Sequence, residues 1–148
     1  MIVQPGQPRD AWKYSNLVRN SLICAAANET SGVDLSTILI VAPAWLNEDD
    51  QSKNATGSRV ATDLVWKGST WAGLSRSTAP GKVQLSMHDV LDGFTENFFN
   101  KKLYPNLNQI SMVGHSLGSS VCQRYAMLRK PSSDDSNLRF WTGNSGCE

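Results

Sequence analysis

The chain has 148 residues, of which 40% are apolar and 18% are charged, and its formal net charge is +1. This length suits one domain, 1–148, complete or part of a larger domain, and the composition is typical of a folded globular core rather than a disordered chain. The near-neutral charge, with no Lys/Arg cluster, excludes an electrostatic surface for nucleic acid or anionic lipid.

Neither a membrane segment nor a signal peptide is visible in the sequence. No apolar run approaches the ~18 residues that a membrane helix needs, and the opening MIVQPGQPRD lacks a basic and an apolar region. The three cysteines, Cys24, Cys122 and Cys147, have no C-x-x-C spacing and predict buried or unpaired thiols, not a disulfide framework or a zinc site. The sequence thus predicts a soluble chain without a metal and specifies neither compartment nor oligomeric state.

The first third of the chain predicts strand, turn, helix and strand in that order. Ile2-Val3 is short and apolar, and the Pro5–Pro8 segment, PGQP, forces a turn. Apolar residues then recur at helical spacing from about Asp10, a plausible N-cap, to Ala27. The β-branched run Ser36–Ala42, ended by a proline, predicts a buried parallel strand.

The middle of the chain predicts a long loop and then a capped helix. Residues 47–82 are rich in Gly, Ser and Thr, which indicates a loop with at most one short element. Ser86 followed by Asp89 three residues later resembles a capping box. The helix that follows ends before Pro105. Its apolar face consists of Met87, Val90, Leu91, Phe94 and Phe98.

The last third predicts a strand at Ile110–Val113, a turn at Gly114–Gly118, a helix at Ser119–Lys130 and a strand at Leu138–Thr142. The inward positions of that helix are Val121, Cys122, Tyr125 and Leu128. Because strands alternate with helices throughout, the sequence predicts an α/β fold of about four parallel strands, with helices on both faces and right-handed crossovers.

Ser116 lies in the pattern G-x-S-x-G, directly after a predicted strand and before a predicted helix. A nucleophilic serine needs such a sharp turn, and Gly114 and Gly118 would let strand and helix approach closely around it. The helix N-terminus would offer the Leu117 N–H to a developing oxyanion. The alternative is an ordinary serine at a helix start.

The motif resembles the nucleophile elbow of the α/β-hydrolases, and residues 123–126, QRYA, continue the helix in a similar way. The opening IVQPGQPRDAW also resembles that family's strand and H-G-x-x-R turn, with Pro5 where the family usually has His. The resemblance covers most of the chain and implies a lipase- or esterase-like serine hydrolase. It also implies that the Gln7 N–H is the second oxyanion donor.

The residues that would activate Ser116 are missing from the sequence. The family's order is Ser, then acid, then His, and no histidine follows Ser116. His115 is adjacent to Ser116 in sequence and is predicted to pack beside the turn, and His88 is predicted to be a solvated residue in the first turn of its helix. Asp134 and Asp135 precede the last strand and are rejected as the acid. We therefore expect a central fragment of such a hydrolase.

Two functions remain open from the sequence. The first is a serine hydrolase acting on a small-molecule ester or acyl substrate, with acyl transfer also possible and no cofactor required. The second is a truncated, non-catalytic relative that binds a ligand or partner. A phosphate-binding module is excluded, since no G-x-x-x-x-G-K-[ST] is present. The tryptophans at 12, 45, 66 and 71 fit either an acyl or alcohol pocket or, preferably, the core.

Overall fold

The structure is a computed structural model that describes residues 1–52, 62–78 and 83–146. Its main sheet has three parallel strands in the order β1-β4-β5, and β2 and β3 form a separate parallel pair. The strands are β1 Ile2–Gln4, β2 Leu46–Asn47, β3 Val65–Trp66, β4 Ile110–His115 and β5 Leu138–Gly143. The helices are α1 Ala11–Ala26, α2 Glu48–Ser52, α3 Met87–Phe99 and α4 Leu117–Leu128. The α/β class is confirmed.

The hydrophobic core lies against one face of the main sheet. Ile2, Met112 and Phe140 are register partners across β1, β4 and β5; the first two belong to one buried apolar cluster, and Phe140 packs against it. Alternate residues of a strand point to opposite faces, so this row defines the core face. Buried residues of α3 and α4, including Leu91 and Tyr125, complete the cluster.

The opposite face of the sheet is covered unevenly. Val3, Val113 and Trp141 are register partners on that face, and exposure rises along the row from 1% at Val3 to 71% at Trp141. Helix α1 contacts β1 but has no buried residue. Its span matches the predicted helix, although Asp10 sits at the N-cap without a side-chain cap bond.

The predicted buried strand at Ser36–Ala42 is wrong. Asp34 accepts hydrogen bonds from the N–H and hydroxyl of Ser36, which winds Leu35–Thr37 into a 3-10 turn. The segment then runs beside β1, where the Val3 N–H donates to Val41 O at 2.8 Å. Because β1 spans three residues, this pairing amounts to one parallel bridge, and the predicted fourth strand of the sheet does not form.

The segment from 47 to 82 contains more structure than the predicted loop. It holds part of β2, all of α2 and β3, and a 3-10 turn at Thr70–Ala72, while residues 53–61 and 79–82 lie outside the described part. Trp45, Trp66 and Trp71 are each at most 2% exposed, and Trp45 stacks on Trp71 with ring centroids 5.6 Å apart. These three tryptophans are core residues, whereas Trp12 lies on the surface.

Helix α4 begins and ends two residues earlier than predicted. Val121, Cys122 and Tyr125 are buried as expected, but Leu128 is 56% exposed because the helix ends there, and the prediction that it points inward is wrong.

The described cysteines behave as thiols. Cys24 is exposed and Cys122 is buried, and burial raises the pKa of the Cys122 thiol to about 12. Cys147 lies outside the described residues. Within residues 1–52, 62–78 and 83–146, no group of three or more His, Cys, Asp or Glu side chains could hold a metal ion, and no helix is long and apolar enough to cross a membrane.

The capping box of α3 is confirmed. Ser86 Oγ accepts from the Asp89 N–H at 3.2 Å, and Asp89 Oδ2 accepts from the Ser86 N–H at 2.8 Å and from Ser86 Oγ at 2.7 Å. The hydrogen bond from the Ser86 hydroxyl, followed by the one from its N–H, lowers the pKa of Asp89. Two otherwise unpaired N–H groups are thereby satisfied.

We predict that Ser86→Ala lowers the free energy of unfolding by about 1 kcal/mol, because the cap bond is lost. Since the pKa of Asp89 is depressed in the folded chain, its contribution is present above its ordinary value of 3.8 and is lost as pH falls through the folded value. Urea titrations of both proteins should show the difference shrinking on acidification. A constant difference would contradict the role of Asp89. Ser136→Ala, at an exposed serine, is the matched control.

Candidate functional site

Ser116 has a backbone conformation that serines seldom adopt. It connects β4 to α4 with φ 55° and ψ −127°, outside the regions that non-glycine residues normally populate. Such conformations cost about 1–3 kcal/mol and persist where the surroundings enforce them. The Ser116 N–H donates to Gly143 O on β5 at 3.0 Å, and Ser116 O accepts from the N–H of Ser119 at 2.9 Å. The strand-turn-helix predicted around Ser116 is present.

Gly114 and Gly118 are required by close backbone contacts. A Cβ on Gly114 would lie 2.7 Å from the backbone nitrogen of Ser119 and closer still to Gly118. A Cβ on Gly118 would lie 2.6 Å from Pro5 O, and it would also overlap the backbone of Gln4. These neighbours are main-chain atoms, which cannot turn aside as a flexible side chain would. The two glycines therefore allow β4, α4 and the end of β1 to meet.

Ser116 lacks the geometry of an ordinary capping serine. A capping serine has an extended backbone, and its hydroxyl oxygen accepts a hydrogen bond from an N–H of the first turn. Ser86 does both, with φ −81° and ψ 167°. Ser116 precedes α4 at the equivalent position but makes no side-chain cap bond. No side chain among the described residues hydrogen-bonds its hydroxyl. The Ser116 Oγ thus lies at the turn without making a hydrogen bond that stabilises it.

Both predicted oxyanion donors lie beside this turn. Leu117 is the first residue of α4, where N–H groups have no partner within the helix. Gln7 follows Gly6, and a Cβ built on Gly6 would lie 3.7 Å from His115 O. In the described part of the chain, no backbone carbonyl accepts from the Leu117 or the Gln7 N–H. The two segments that the sequence proposed as donors are therefore neighbours in space.

A part-buried arginine fixes the turn that carries Gln7. Arg9 has φ 63°, and its N–H closes the turn on Gly6 O at 2.9 Å. The Arg9 guanidinium donates to Trp45 O at 2.9 Å and forms an ion pair with Asp50. Both side chains of the pair are 16% exposed, so solvent screens them less than a surface pair. The turn is therefore anchored to the Trp45–Asp50 segment.

A cleft of about 420 Å³ opens beside Gln7 and Leu117. Helix α4 supplies Leu117 and Arg124, and the segment around Thr70–Ala72 forms the other wall. The Arg124 guanidinium donates to Ala72 O at 2.9 Å, which joins the walls. Among the described residues, those that line it are Gln7, Ser69, Thr70, Ala72, Gly73, Ser75, Leu117 and Arg124.

Neither histidine is placed as a base for Ser116. The His115 side chain is exposed, and its ring lies 6.5 Å from the Tyr14 ring, which agrees with a neighbour packed beside the turn. His88 is buried, not solvated as predicted, because its ring packs from α3 against α4. Its Nε2 lies 3.4 Å from Arg124 O, and its ring lies 5.8 Å from that of Tyr125. These contacts are two turns of α4 away from Ser116.

Asp134 and Asp135 lie at the opposite end of the strands from Ser116. They precede β5, whose first residue, Leu138, pairs with Ile110 at the start of β4, while Ser116 follows the end of β4. Asp135 forms an ion pair with Arg129, and the hydrogen bond from Arg129 lowers the pKa of Asp135. Their rejection as the triad acid agrees with this geometry.

Three charged residues of the site were missed in the sequence. Arg9, Asp50 and Arg124 carry no local pattern that marks them, since their partners lie 36 to 52 positions away. The H-G-x-x-R-like opening contained Arg9, but its charge partner was not predictable from spacing.

Comparison with models of known protein families, with curated proteins and with solved structures finds no match to the chain.

We predict that Gly118→Ala destabilises the fold by roughly 1–3 kcal/mol or prevents folding, because its Cβ would overlap backbone atoms. Gly93→Ala is the matched control, since Gly93 is exposed within α3 and a Cβ there meets nothing within 4 Å. That control should raise stability by about 0.5–1 kcal/mol. Thermal or urea unfolding measures both, and equal effects at the two positions would contradict the close approach at the turn.

Proposed function

We propose that this chain is the nucleophile-bearing part of a serine hydrolase of carboxylic esters with an α/β-hydrolase fold. Ser116 Oγ attacks the ester carbonyl carbon and forms an acyl-enzyme, while the N–H groups of Leu117 and Gln7 bind the oxyanion. The C–O bond to the alcohol breaks, and the proton taken from Ser116 passes through a general base to the leaving alcohol. Water then hydrolyses the acyl-enzyme and releases the acid.

The observation that carries this proposal is the backbone of Ser116. A non-glycine residue at φ 55° and ψ −127° is strained, and strain of this kind clusters at functional sites. It is enforced here by two glycines in contact with main chain. Leu117 and Gln7, from two separate segments, line a cleft beside Ser116. Their N–H groups would account for the strain, because an oxyanion needs donors that are already in place.

The proposed reaction needs a base and an acid that the described residues do not supply at Ser116. His88 and His115 are the two histidines of the sequence, and their contacts direct them elsewhere. We therefore assign the base and its orienting carboxylate to residues outside 1–148, in agreement with the family's order of Ser, acid and His.

The second candidate function is ligand binding without catalysis. The absence of a histidine contact at Ser116 among the described residues favours it, since an unassisted serine hydroxyl is a weak nucleophile. The same cleft and donors would then bind an anion or carbonyl compound without turning it over.

We predict that a neutral fluorophosphonate labels Ser116 in the protein expressed from its complete coding sequence. Ser116→Ala should abolish labelling and lower the hydrolysis of p-nitrophenyl acetate by at least about 10³-fold. Intact-mass and peptide mass spectrometry locate the adduct. Ser136→Ala, an exposed serine beside β5, should leave both readouts unchanged.

Labelling that survives Ser116→Ala, or a folded protein that is neither labelled nor active, would overturn the hydrolase and favour the binding protein. A parallel measurement on residues 1–148 alone tests where the base is. Loss of turnover in this shorter chain, with the same unfolding transition as the longer one, would agree with a base outside it.

A further inference from the structure

We propose that Gln4 is a positioning residue of the hydrolase site. Its side chain and that of Arg9 hold the two ends of the turn Pro5–Pro8 on Trp45, and this turn carries the Gln7 N–H. The inference rests on the proposed function, because it concerns an oxyanion donor of the same site. It assigns a role to a fully buried polar residue that the motif around Ser116 does not include.

The two proposed oxyanion donors differ in what fixes their positions. The Leu117 N–H belongs to the first residue of α4, and this helix packs on β4 and β5. Gln7 lies instead at an exposed part of a four-residue turn, and exposed connections move more than the elements they join. A donor stabilises an oxyanion best when it is in place before the charge develops. The turn therefore needs contacts outside itself.

Gln4 anchors the first end of the turn. It is the last residue of β1 and lies two residues beyond Ile2, so its side chain points to the core face of the sheet. There its Oε1 accepts a hydrogen bond from Trp45 Nε1 at 3.0 Å. An indole N–H only donates, so the amide oxygen of Gln4 has to face it. The Gln4 backbone also touches Gly118 at the start of α4.

Arg9 anchors the second end of the turn to the same tryptophan. Its guanidinium donates to Trp45 O at 2.9 Å, and its N–H donates to Gly6 O at 2.9 Å. Gln4 and Arg9 are thus joined twice, once through the turn and once through Trp45. Two of the four residues of the turn are prolines with a fixed φ. This closed ring leaves the Gln7 N–H little freedom.

Trp45 is a rigid anchor for both ends. It is 2% exposed, stacks on Trp71 with ring centroids 5.6 Å apart and meets Trp66 edge-on at 5.4 Å. Close packing of buried rings permits little movement. The position of the turn is therefore set by the hydrophobic core and not by solvent-exposed contacts.

The Gln4 amide contributes less to folding than its burial suggests. Its Nε2 has no acceptor among the described residues, and a buried unpaired donor lowers stability. Methionine has a similar length and no polar hydrogen, so Gln4→Met removes one unpaired group and leaves another, the Trp45 N–H. These two effects oppose each other, and we expect the substitution to loosen the turn with little change in stability.

The test is Gln4→Met in the protein expressed from its complete coding sequence. For p-nitrophenyl acetate, kcat and kcat/KM should fall by the same factor, about 10- to 100-fold, because the misplaced donor acts in the transition state. The thermal midpoint should stay within about 5 °C. Gln84→Met, the same substitution at an exposed glutamine, is the matched control and should change neither. A loss of activity that follows a lower midpoint would indicate a structural role and overturn the inference.

Trp45→Phe tests the same hydrogen bond from its other side and decides the question if Gln4→Met does not fold. It removes the indole N–H and retains an aromatic ring. The double variant should have a kcat within about twofold of the more impaired single variant, since both substitutions remove one shared bond. Losses that multiply would overturn the inference.

Amide hydrogen exchange measures the turn directly. The Arg9 N–H closes the turn on Gly6 O, and it should exchange faster in Gln4→Met than in Gln84→Met. A lower kcat without faster exchange at Arg9 would overturn the positioning role.

Fluorophosphonate labelling separates this inference from the proposed function. If Ser116 is labelled and the ester is hydrolysed, but Gln4→Met behaves as Gln84→Met does, the positioning role is overturned and the hydrolase stands. No labelling of Ser116 in the folded, unsubstituted protein would overturn both.

Discussion

The candidate site depends on close backbone contacts at two glycines, Gly114 and Gly118, where β1, the start of α4 and β5 meet. The end of β1 touches Gly118, the start of α4 touches Gly114, and β5 accepts the N–H of Ser116. Main-chain atoms this close leave no room for a Cβ and fix the angle at which α4 leaves the sheet. Because that angle also decides where the first N–H groups of α4 point, one steric constraint places the serine hydroxyl beside the N–H that we propose as an oxyanion donor.

The remainder of the site is built by long-range polar contacts over a rigid aromatic base. Arg9 anchors the turn carrying Gln7 to Trp45 O, and Arg124 joins α4 to Ala72 O. Both acceptors lie beside or within the buried tryptophan cluster. Stacked and edge-on rings bury much apolar surface and tolerate little movement. The cluster thus supports both walls of the cleft without lining it.

The sequence was most informative where local rules decide the structure. The capping box at Ser86, the glycines around Ser116 and the spans of α1, α3 and β5 follow from short patterns of residue type. The same rules misled at Ser36–Ala42, where β propensity yielded to the turn that Asp34 induces and to the three-residue length of β1. Sheet pairing depends on neighbours that are distant in sequence, which a local pattern does not contain.

The site was predictable in its centre and not at its margin. Ser116 and Gln7 lie on backbone turns, whose conformation is encoded by adjacent glycine and proline residues, and Leu117 begins the helix that follows Ser116. Arg124 could not be assigned, because an arginine in an amphipathic helix is ordinarily a solvated residue, and its role depends on the distant wall at Ala72. The same holds for His88, whose burial results from packing of α3 on α4 and not from its position in the first turn.

The left-handed conformation of Ser116 sets thermostability against the proposed chemistry at a single residue. Glycine adopts φ 55° without steric cost, so glycine at position 116 would fold more easily than the serine that is present. Mutational drift governed by folding alone would lead this position toward glycine. A laboratory selection for heat resistance would act in the same direction, and the hydroxyl would be among the first groups lost. A stabilised version of this chain that keeps the proposed nucleophile would therefore have to hold position 116 fixed and seek its gains elsewhere.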